Sequence, residues 1–349
     1  MLSVRAMTAR ANGEDDRIQK KVVCKLMNIL VTGGAGFIGS HLVLRLLELG
    51  HRVTILDDMS TGRREYLNEV AKHDRLTVIH GSVTDPLTLR SAMDRCDVVY
   101  HLAAVLGVKN TVENPLKVIE GNIDGTRGVL EQAYEQGTKV VFASTSEVYG
   151  KNSQLPFRED SDRVLGAPSI HRWCYATAKA IDEHLCFAYA EKGLPVTVVR
   201  YFNTYGPKQI SSQYGNVIPR FIRAALRGEP LEVHGDGTQI RCFTFIRDTV
   251  SGTVAAMDPQ ANGLAFNIGS EKPITINELA VKVRELVGSE SPIVQVPYEK
   301  AYGPGYEDMP ARIPDLSRAK AILQYKPMIS LDEGLRISIE WFRQQMKDG

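Results

Sequence analysis

The chain has 349 residues, with 42 Lys and Arg against 41 Asp and Glu, so its formal net charge is +1. This length suggests about two domains, or one large α/β domain with an appended lobe. The near-neutral charge argues against nucleic acid or an anionic membrane as a partner, because both require a concentrated basic surface. No apolar stretch reaches the roughly 18 residues that a membrane span needs. We therefore expect a soluble globular protein.

The five cysteines indicate the compartment in which the protein resides. They form neither a CxxC pair nor a spacing typical of a metal site, and they are odd in number. Such scattered thiols in a long chain favour a reduced, cytoplasmic protein without a bound metal. Residues 1–26 contain basic residues but also an acidic cluster and no apolar run, which argues against a targeting signal. We expect them to be a disordered leader, or to precede a domain that opens at Met27.

From Met27 onward, short β-branched runs alternate with helical segments, which is typical of a doubly wound parallel α/β sheet. Strands are predicted at residues 27–32, 51–57, 76–81, 97–103, 139–145 and 196–202. Helices are predicted at residues 41–50, 216–227, 275–287 and 331–344. The alternation weakens beyond residue 205, where Pro and Gly become more frequent. We therefore predict one domain over residues 27–205 and a smaller, partly interleaved lobe over residues 206–349.

A glycine-rich motif, VTGGAGFIGSH, follows the first strand and opens a helix. Gly33, Gly36 and Gly39 have the spacing and context of a dinucleotide-binding turn, in which backbone approaches the pyrophosphate. The helix N-terminus then offers N–H groups and a positive dipole to phosphate. Asp57 ends the second strand, where a carboxylate can accept hydrogen bonds from both ribose hydroxyls and would repel a 2′-phosphate. The motif therefore predicts NAD as the cofactor in preference to NADP.

Two further segments carry the residue types of a proton-transfer site. Tyr175 and Lys179 lie four residues apart in YATAK and hence on one helix face. A lysine there would favour the phenolate and lower the tyrosine pKa, so that the tyrosine can remove a hydroxyl proton as hydride leaves. Thr145 ends the strand KVVFAST at the carboxyl edge of the sheet, where ligands bind in this fold. Glu147 would share the face of Thr145 if the segment stays extended.

Six motifs in this order resemble those of the extended short-chain dehydrogenase/reductases: GGAGFIG, HLAA, STSEVYG, YxxxK, RYFNTYGP and RCFTFIRD. More narrowly, the chain resembles the NAD-dependent epimerase/dehydratase family, which acts on nucleotide sugars, over about residues 27–345. The resemblance implies a Rossmann domain that holds NAD and a C-terminal lobe that holds a nucleoside-diphosphate sugar, with UDP as the favoured nucleotide. It also implies a homodimer. By the same resemblance Thr145, Tyr175, Lys179 and Glu147 are the catalytic residues.

The resemblance also assigns binding residues. Besides Tyr175 and Lys179, the predicted cofactor-binding residues are Gly33, Gly36, Phe37, Ile38, Gly39, Asp57, Ser82, Val83, Leu102, Ala103, Ala104 and Asn122. Ser82 stands where many members carry Asp against the adenine, which weakens one cofactor contact. The predicted substrate-binding residues are Lys109, Ser146, Arg172, Asn203, Val217, Ile218, Arg241 and Arg312. Of these, the two at 217 and 218 are expected beside the base, and Arg241 and Arg312 near the diphosphate, because guanidinium suits phosphate oxygens.

The resemblance leaves the reaction open after a shared first step, oxidation of the sugar C4 to a ketone. An epimerase returns the hydride to the other face, a dehydratase loses water, and a decarboxylase releases the C6 carboxylate of a hexuronate as CO2. Glu147, Arg172 and the segment YGPGYEDMPARIPD resemble the decarboxylase pattern, whereas HLAAVLGVKN is unlike the proline-containing loop of many decarboxylases. We predict a UDP-glucuronate decarboxylase. The alternatives are a 4-epimerase, a 4,6-dehydratase and a non-enzymatic NAD-binding sensor, which would usually lack Tyr175 or Lys179.

Overall fold

The computed structural model describes residues 26–107, 111, 113–210, 216–302 and 307–348. The predicted leader therefore lies almost wholly outside the described residues, and Lys109 lies outside them as well. Among the residues in these ranges, no helix combines the length and the apolar composition that crossing a membrane requires.

Strands and helices alternate through the first two hundred residues. The strands are β1 (Asn28–Thr32), β2 (Arg52–Asp57), β3 (Leu76–His80), β4 (Val98–His101), β5 (Lys139–Thr145), β6 (Val196–Tyr201), β7 (Thr204–Tyr205), β8 (Leu231–His234), β9 (Ile240–Cys242), β10 (Thr244–Phe245), β11 (Leu264–Ile268), β12 (Pro273–Thr275), β13 (Ile293–Val296) and β14 (Ala311–Arg312). The helices are α1 (Phe37–Glu48), α2 (Pro86–Ala92), α3 (Pro115–Gln136), α4 (Cys174–Glu191), α5 (Val217–Arg227), α6 (Ile246–Ala255), α7 (Ile276–Val287), α8 (Tyr298–Tyr302), α9 (Ser317–Ile322) and α10 (Leu331–Asp348).

Seven parallel strands form the central sheet in the order β3-β2-β1-β4-β5-β6-β11. This order confirms the predicted doubly wound sheet, and all six predicted strands are present. The first predicted helix is present, but α1 begins four residues earlier than expected, at Phe37 rather than at residue 41. The glycines that open it carry no apolar periodicity, so the pattern of side chains revealed the helix only after its first turn.

The two faces of the sheet bury separate apolar clusters. On β1, Ile29 and Val31 belong to one cluster and Leu30 to the other, as the twofold alternation of a strand requires. The first cluster also contains side chains of α1 and α6, and the second contains those of α2, α3 and α4. Helices therefore cover both faces, which is why the strands are almost continuously apolar.

Beyond β6, the described strands other than β11 form three small sheets. In these sheets β7 pairs with β10, β8 pairs with β13, and β9 lies between β12 and β14. The parallel pairing of β9 with β14 sets Arg241 opposite Arg312. The predicted C-terminal helices correspond to α5, α7 and α10, and a capping box between Thr275 and Glu278 begins α7. The proposed division at residue 205 stays a prediction.

Candidate active site

The turn between β1 and α1 is shaped for close approach of a ligand. Gly33 has φ +71°, and a Cβ at this position would lie 2.8 Å from the backbone nitrogen of Ala103. A Cβ at Gly39 would overlap the carbonyl oxygen of Gly33, so the turn and the helix touch backbone to backbone. Gly36 caps α1 without a side-chain hydrogen bond, and the N–H groups of the first helical turn are available to phosphate.

Asp57 lies beside this turn at the end of β2, as predicted. Its side chain is buried, and its two oxygens accept hydrogen bonds from the backbone nitrogens of Ala35 at 2.8 Å and Met59 at 2.9 Å. Burial raises the pKa of the Asp57 carboxyl, and the two backbone hydrogen bonds oppose this shift. Each oxygen keeps a second lone pair that a ribose hydroxyl can use. The turn and the carboxylate together fit a dinucleotide.

The other predicted cofactor-binding residues follow neighbouring strands. Leu102, Ala103 and Ala104 follow β4, and the backbone nitrogen of Ala103 donates to the hydroxyl of Thr32 at 3.1 Å. This hydroxyl lies 2.8 Å from Nδ1 of His101, a buried residue that the sequence analysis did not single out. Burial, followed by the charge of Lys179, lowers the pKa of His101 to about 3, so the ring is neutral.

Ser82, Val83 and Asn122 complete the predicted cofactor set. The Ser82 hydroxyl lies 2.8 Å from the hydroxyl of Thr84 in the turn after β3. Val83 packs against α3 where Gly125 lacks a side chain. Asn122 on α3 donates to backbone carbonyls, while its buried Oδ1 accepts no hydrogen bond from any described residue. These three residues are therefore placed by contacts within the chain.

Tyr175 and Lys179 lie on α4, which confirms that they share a helix. Lys179 is 2% exposed, and its ammonium lies 4.4 Å from the centre of the Phe142 ring on β5. The pKa of Tyr175 is raised by burial, then by the carboxylates of Glu147 and Asp182. The expected lowering of this pKa is therefore not found in the chain alone, because desolvation and two negative charges both raise it. A cationic cofactor ring beside the phenol would act in the opposite direction.

Thr145 ends β5 and caps the 3₁₀ helix Ser146–Tyr149, with its hydroxyl accepting from the backbone nitrogen of Glu147 at 3.2 Å. The expectation of an extended segment here is therefore wrong. A threonine hydroxyl that accepts from the N–H two residues later closes a turn in place of a strand. The turn buries Ser146 and carries the side chain of Glu147 toward Arg172.

Glu147 is held by two buried arginines. Arg172 donates to both oxygens of its carboxylate, at 2.8 and 3.3 Å, and Arg312 donates to one of them at 3.4 Å. Burial opposes ionisation of Glu147, but the two guanidiniums outweigh it and lower the pKa of the carboxyl to about 2. Arg312 is 8% exposed, and its Nε meets no hydrogen-bond acceptor among the described residues.

A second ion pair adjoins this one. Arg241 donates to both oxygens of Asp308 at 2.9 Å, and the hydroxyl of Tyr298 donates to the same carboxylate at 3.1 Å. Arg241 and Arg312 are neighbours across β9 and β14, so the two pairs form one cluster. Within the described part of this cluster, three guanidiniums face two carboxylates. The cluster therefore carries one positive charge in excess, which an anionic ligand would neutralise.

Three other predicted substrate-binding residues lie on the C-terminal side of β6. Asn203 has φ +33° and donates from its side-chain amide to the carbonyl of Cys242 at 3.3 Å. Val217 begins α5, and Ile218 is buried in the larger apolar cluster. These contacts position the three residues, whereas Lys109 lies outside the described ranges.

Sequence reasoning missed the residues that connect the site to its surroundings. Glu307 accepts hydrogen bonds from the Trp173 indole at 2.9 Å and from Lys151 at 3.0 Å. The Trp173 ring also lies 5.3 Å from the guanidinium of Arg172. These contacts join segments more than 130 residues apart in the chain. The one available signal was Trp173 itself, a large aromatic residue two positions before Tyr175.

Comparison with known proteins agrees with this geometry. A sequence profile of the NAD dependent epimerase/dehydratase family matches residues 29–269. The chain is 49% identical to UDP-N-acetyl-alpha-D-glucosaminuronate decarboxylase of Bacillus cytotoxicus, covering 91% of this chain and 98% of that protein. It is 36% identical to UDP-glucuronic acid decarboxylase 1 of Danio rerio, covering 91% of this chain and 73% of that protein. The solved structure of UDP-glucuronic acid 4-epimerase from Bacillus cereus, in complex with UDP-glucuronic acid and NAD, superposes on this fold with a TM-score of 0.82. The two sequences are 30% identical, and the match covers 91% of this chain and 100% of that chain.

The fold and the site thus define an extended short-chain dehydrogenase/reductase with a dinucleotide turn and a tyrosine–lysine pair. The chain belongs to the NAD-dependent epimerase/dehydratase family. This confirms the resemblance found in the motifs, the enzymatic class and NAD as the cofactor.

Proposed function

We propose that this enzyme decarboxylates a UDP-hexuronate to a UDP-pentose. The observation that carries the proposal is the carboxylate of Glu147 between Arg172 and Arg312, in a buried cluster with an excess positive charge. The names of two relatives, at 49% and 36% identity, support it. We place UDP-N-acetylglucosaminuronate first among the substrates, because the relative named for it matches over 98% of its own length. UDP-glucuronate is the second.

In the proposed reaction, Tyr175 accepts the proton of the sugar C4 hydroxyl, and the ammonium of Lys179 stabilises the phenolate that must form first. NAD, held by the turn between β1 and α1 and by Asp57, would supply a reversible hydride acceptor for C4. Thr145, at the end of β5, holds the C4 oxygen by hydrogen bonding. Thr145 is the last residue of β5, and Lys179 packs against Phe142 on the same strand, which supports a shared role.

A ketone at C4 is β to the C6 carboxylate. The C5–C6 bond then breaks, its electron pair passes into an enolate, and CO2 leaves. A proton adds at C5, so the complete reaction consumes one proton for each CO2 released. The C4 ketone is finally reduced, and Tyr175 returns its proton to the C4 oxygen.

The arginine cluster suits the change in charge during this reaction. We propose that Arg172 and Arg312 bind the C6 carboxylate, and that Arg241 contributes to the diphosphate site. When CO2 leaves, the negative charge passes from the C6 carboxylate to the enolate oxygen, away from these two arginines, and Glu147 remains to neutralise the buried guanidiniums. We propose that five further residues complete the sugar-nucleotide site: Lys109, Ser146, Asn203, Val217 and Ile218.

The test is incubation of the enzyme with NAD and each UDP-hexuronate, with the products read by mass. Loss of CO2 supports the proposal. The second candidate is a 4-epimerase, which the solved 4-epimerase at 30% identity favours. An isobaric product without CO2 would select this reaction, loss of water would indicate a dehydratase, and an unchanged sugar with NAD bound would indicate a sensor.

We also propose a homodimer assembled through α3 and α4. The two helices pack against each other, and each presents apolar side chains to solvent: Leu116 is 69% exposed and Ile181 is 40% exposed. Burial of these side chains against a second copy would remove them from water. Sedimentation should show a dimer, and Ile181→Asp should dissociate it, whereas Met328→Asp, a change at another exposed apolar residue, should not.

We propose a cytoplasmic location for the enzyme. The four described cysteines are free thiols, which is typical of proteins from a reducing compartment. Fractionation of cells that express the tagged protein would test this, and recovery in an extracytoplasmic fraction would contradict it.

A further inference from the structure

The catalytic helix contains a buried ion pair that the reaction described above does not use. Lys179 and Asp182 lie three residues apart on α4, and the ammonium is 3.6 Å from the nearer carboxylate oxygen. Their side chains are 2% and 0% exposed. Neither oxygen of Asp182 meets a described donor at hydrogen-bonding distance. Burial raises the pKa of its carboxyl to about 6, and Lys179, followed by Thr126, opposes this shift. A fully buried carboxylate without hydrogen bonds is uncommon and calls for a reason.

Most of the groups that face Lys179 are neutral. His101 on β4 stays uncharged, because burial and then the lysine lower the pKa of its ring to about 3. Thr126 on α3 lies 3.3 Å from this ring, and Phe142 on β5 presents only its aromatic face. Burial raises the pKa of the Cys186 thiol well above its usual value, so this group is also uncharged. None of these four side chains supplies a full negative charge.

The remaining carboxylates near the helix serve other cations. Glu183 binds Arg200 on β6 through both oxygens, at 2.9 and 2.6 Å. Glu147 is engaged by Arg172 as described above. Asp182 is therefore the carboxylate placed to balance the charge of Lys179.

Distance decides which group Asp182 influences most. Burial lowers the pKa of Lys179, and the carboxylate of Asp182 is the largest influence that raises it. Two opposite charges 3.6 Å apart interact strongly enough to move a pKa by more than one unit, even at an effective dielectric constant of about 20. Tyr175 is seven residues away, about 10 Å along the helix axis. The repulsion between Asp182 and a phenolate is therefore weaker than its attraction for the ammonium.

We propose that Asp182 is a positioning residue that keeps Lys179 protonated across the working pH range, and thereby preserves the cation that Tyr175 needs. This rests on the proposed function only in taking Lys179 as the partner of Tyr175. Asp182 is fully buried against Lys179, so we expect it to act through the lysine and to touch neither the sugar nor the cofactor.

The test compares wild type with Asp182→Asn, which keeps the shape and removes the charge. In the pH profile of kcat for CO2 release, the apparent pKa of the limb that falls at high pH should be lower in the variant by at least one unit. The variant should then be about tenfold slower than wild type at pH 8.5 and nearly equal at pH 6.5. A uniform loss at every pH would mean that Asp182 is merely structural and would overturn the proposal.

A second measurement needs no sugar. NAD release from the holoenzyme is followed by equilibrium dialysis between pH 6 and 9.5, because Lys179 is also a predicted cofactor-binding residue. The dissociation constant of Asp182→Asn should rise at lower pH than that of wild type, and parallel curves would overturn the proposal. If wild type released no CO2, the proposed function would fail, while this measurement would still decide the role of Asp182.

Two further variants separate the effect of the Asp182 charge from a loss of folding or stability. Asp182→Ala, which also removes the charge, replaces the Asn variant if that protein does not fold, with the same expected shift. The matched control is Asp248→Asn on α6, a buried carboxylate that accepts from the backbone nitrogens of Met328 and Ile329 at 3.0 Å. This control should lower the midpoint of thermal unfolding and leave both pH dependences unchanged. An equal pH shift in the control would overturn the proposal.

Discussion

Glu147 and Arg172 form a bidentate ion pair, with one oxygen 2.8 Å from Nη1 and the other 3.3 Å from Nη2. The two residues come from the turn after β5 and from the segment just before α4. Their contact therefore joins the end of a central strand to the helix that carries Tyr175. It also leaves the guanidinium of Arg312 in contact with the same carboxylate.

Replacing Glu147 with Gln should leave the binding of NAD and UDP-hexuronate intact and form little UDP-pentose. The amide keeps the shape of the side chain but not the charge that neutralises the arginines when CO2 leaves. We expect CO2 release to fall by at least tenfold, measured with substrate labelled at C6. Release at the wild-type rate would remove Glu147 from the mechanism.

Glu147→Gln should also change how the free energy of unfolding depends on pH. The pKa of Glu147 is lowered from its usual value to about 2, so ionised Glu147 stabilises the folded chain above about pH 4.5. That stability is lost as pH falls from 4.5 toward 2. Wild type should exceed Glu147→Gln by about 3 kcal/mol in urea unfolding at pH 7, and the difference should shrink below pH 4.5. Glu285→Gln, at an exposed position, should show no such difference.

Tyr175→Phe should reduce turnover by roughly 10² to 10⁴-fold, the usual contribution of a positioned proton-transfer group. The ring remains, so NAD binding should change little. The measurement is kcat with saturating substrate, together with the NAD content of the purified protein. Tyr134→Phe, at a half-exposed tyrosine on α3, serves as the control. Near-normal turnover in Tyr175→Phe would refute the assignment of the proton relay.

Asp57→Ala should reduce the preference for NAD over NADP, because the carboxylate at the end of β2 repels a 2′-phosphate. Calorimetric titration with both cofactors would measure this preference. The neighbouring Asp58 is exposed and accepts hydrogen bonds from Ser60, so Asp58→Ala provides a matched control with the preference retained. Equal affinity of wild type for NAD and NADP would contradict the prediction at the outset.

Gly39→Ala should abolish NAD binding and destabilise the fold by about 1–3 kcal/mol, because the added methyl group meets the carbonyl oxygen of Gly33. Gly128→Ala on α3 is the control, since its methyl group would make ordinary van der Waals contacts with Leu89 at 3.4 Å and the Val83 carbonyl oxygen at 3.7 Å. Thermal unfolding and bound NAD report the two effects. A stable Gly39→Ala protein with full NAD content would show that the turn tolerates a side chain.

The central strands could be predicted because strands buried on both faces are short, nearly continuous apolar runs. The dinucleotide turn, Asp57 and the tyrosine–lysine pair were also accessible, because each depends on local spacing. The pairing of β6 with β11 was not predicted, since LAFNI lies where the alternation has weakened. The contacts of Glu147 with Arg172 and Arg312 join residues 25 and 165 positions apart, and local pattern cannot reveal such contacts. The turn at Ser146 replaces the expected extended segment for a local reason, because the Thr145 hydroxyl accepts a hydrogen bond from the backbone nitrogen of Glu147.

The position of β11 at the edge of the central sheet has a consequence for how the chain can be divided. Its five residues pair with β6 from Leu264 opposite Thr197 to Ile268 opposite Tyr201. A fragment that stopped at residue 205 would expose the backbone N–H and C=O groups of β6. Such an exposed edge can pair with a strand of another chain and promote aggregation. The central sheet therefore depends on a segment translated some sixty residues after β6 to cover the edge of that strand. Nascent chains released before that point are candidates for chaperone retention.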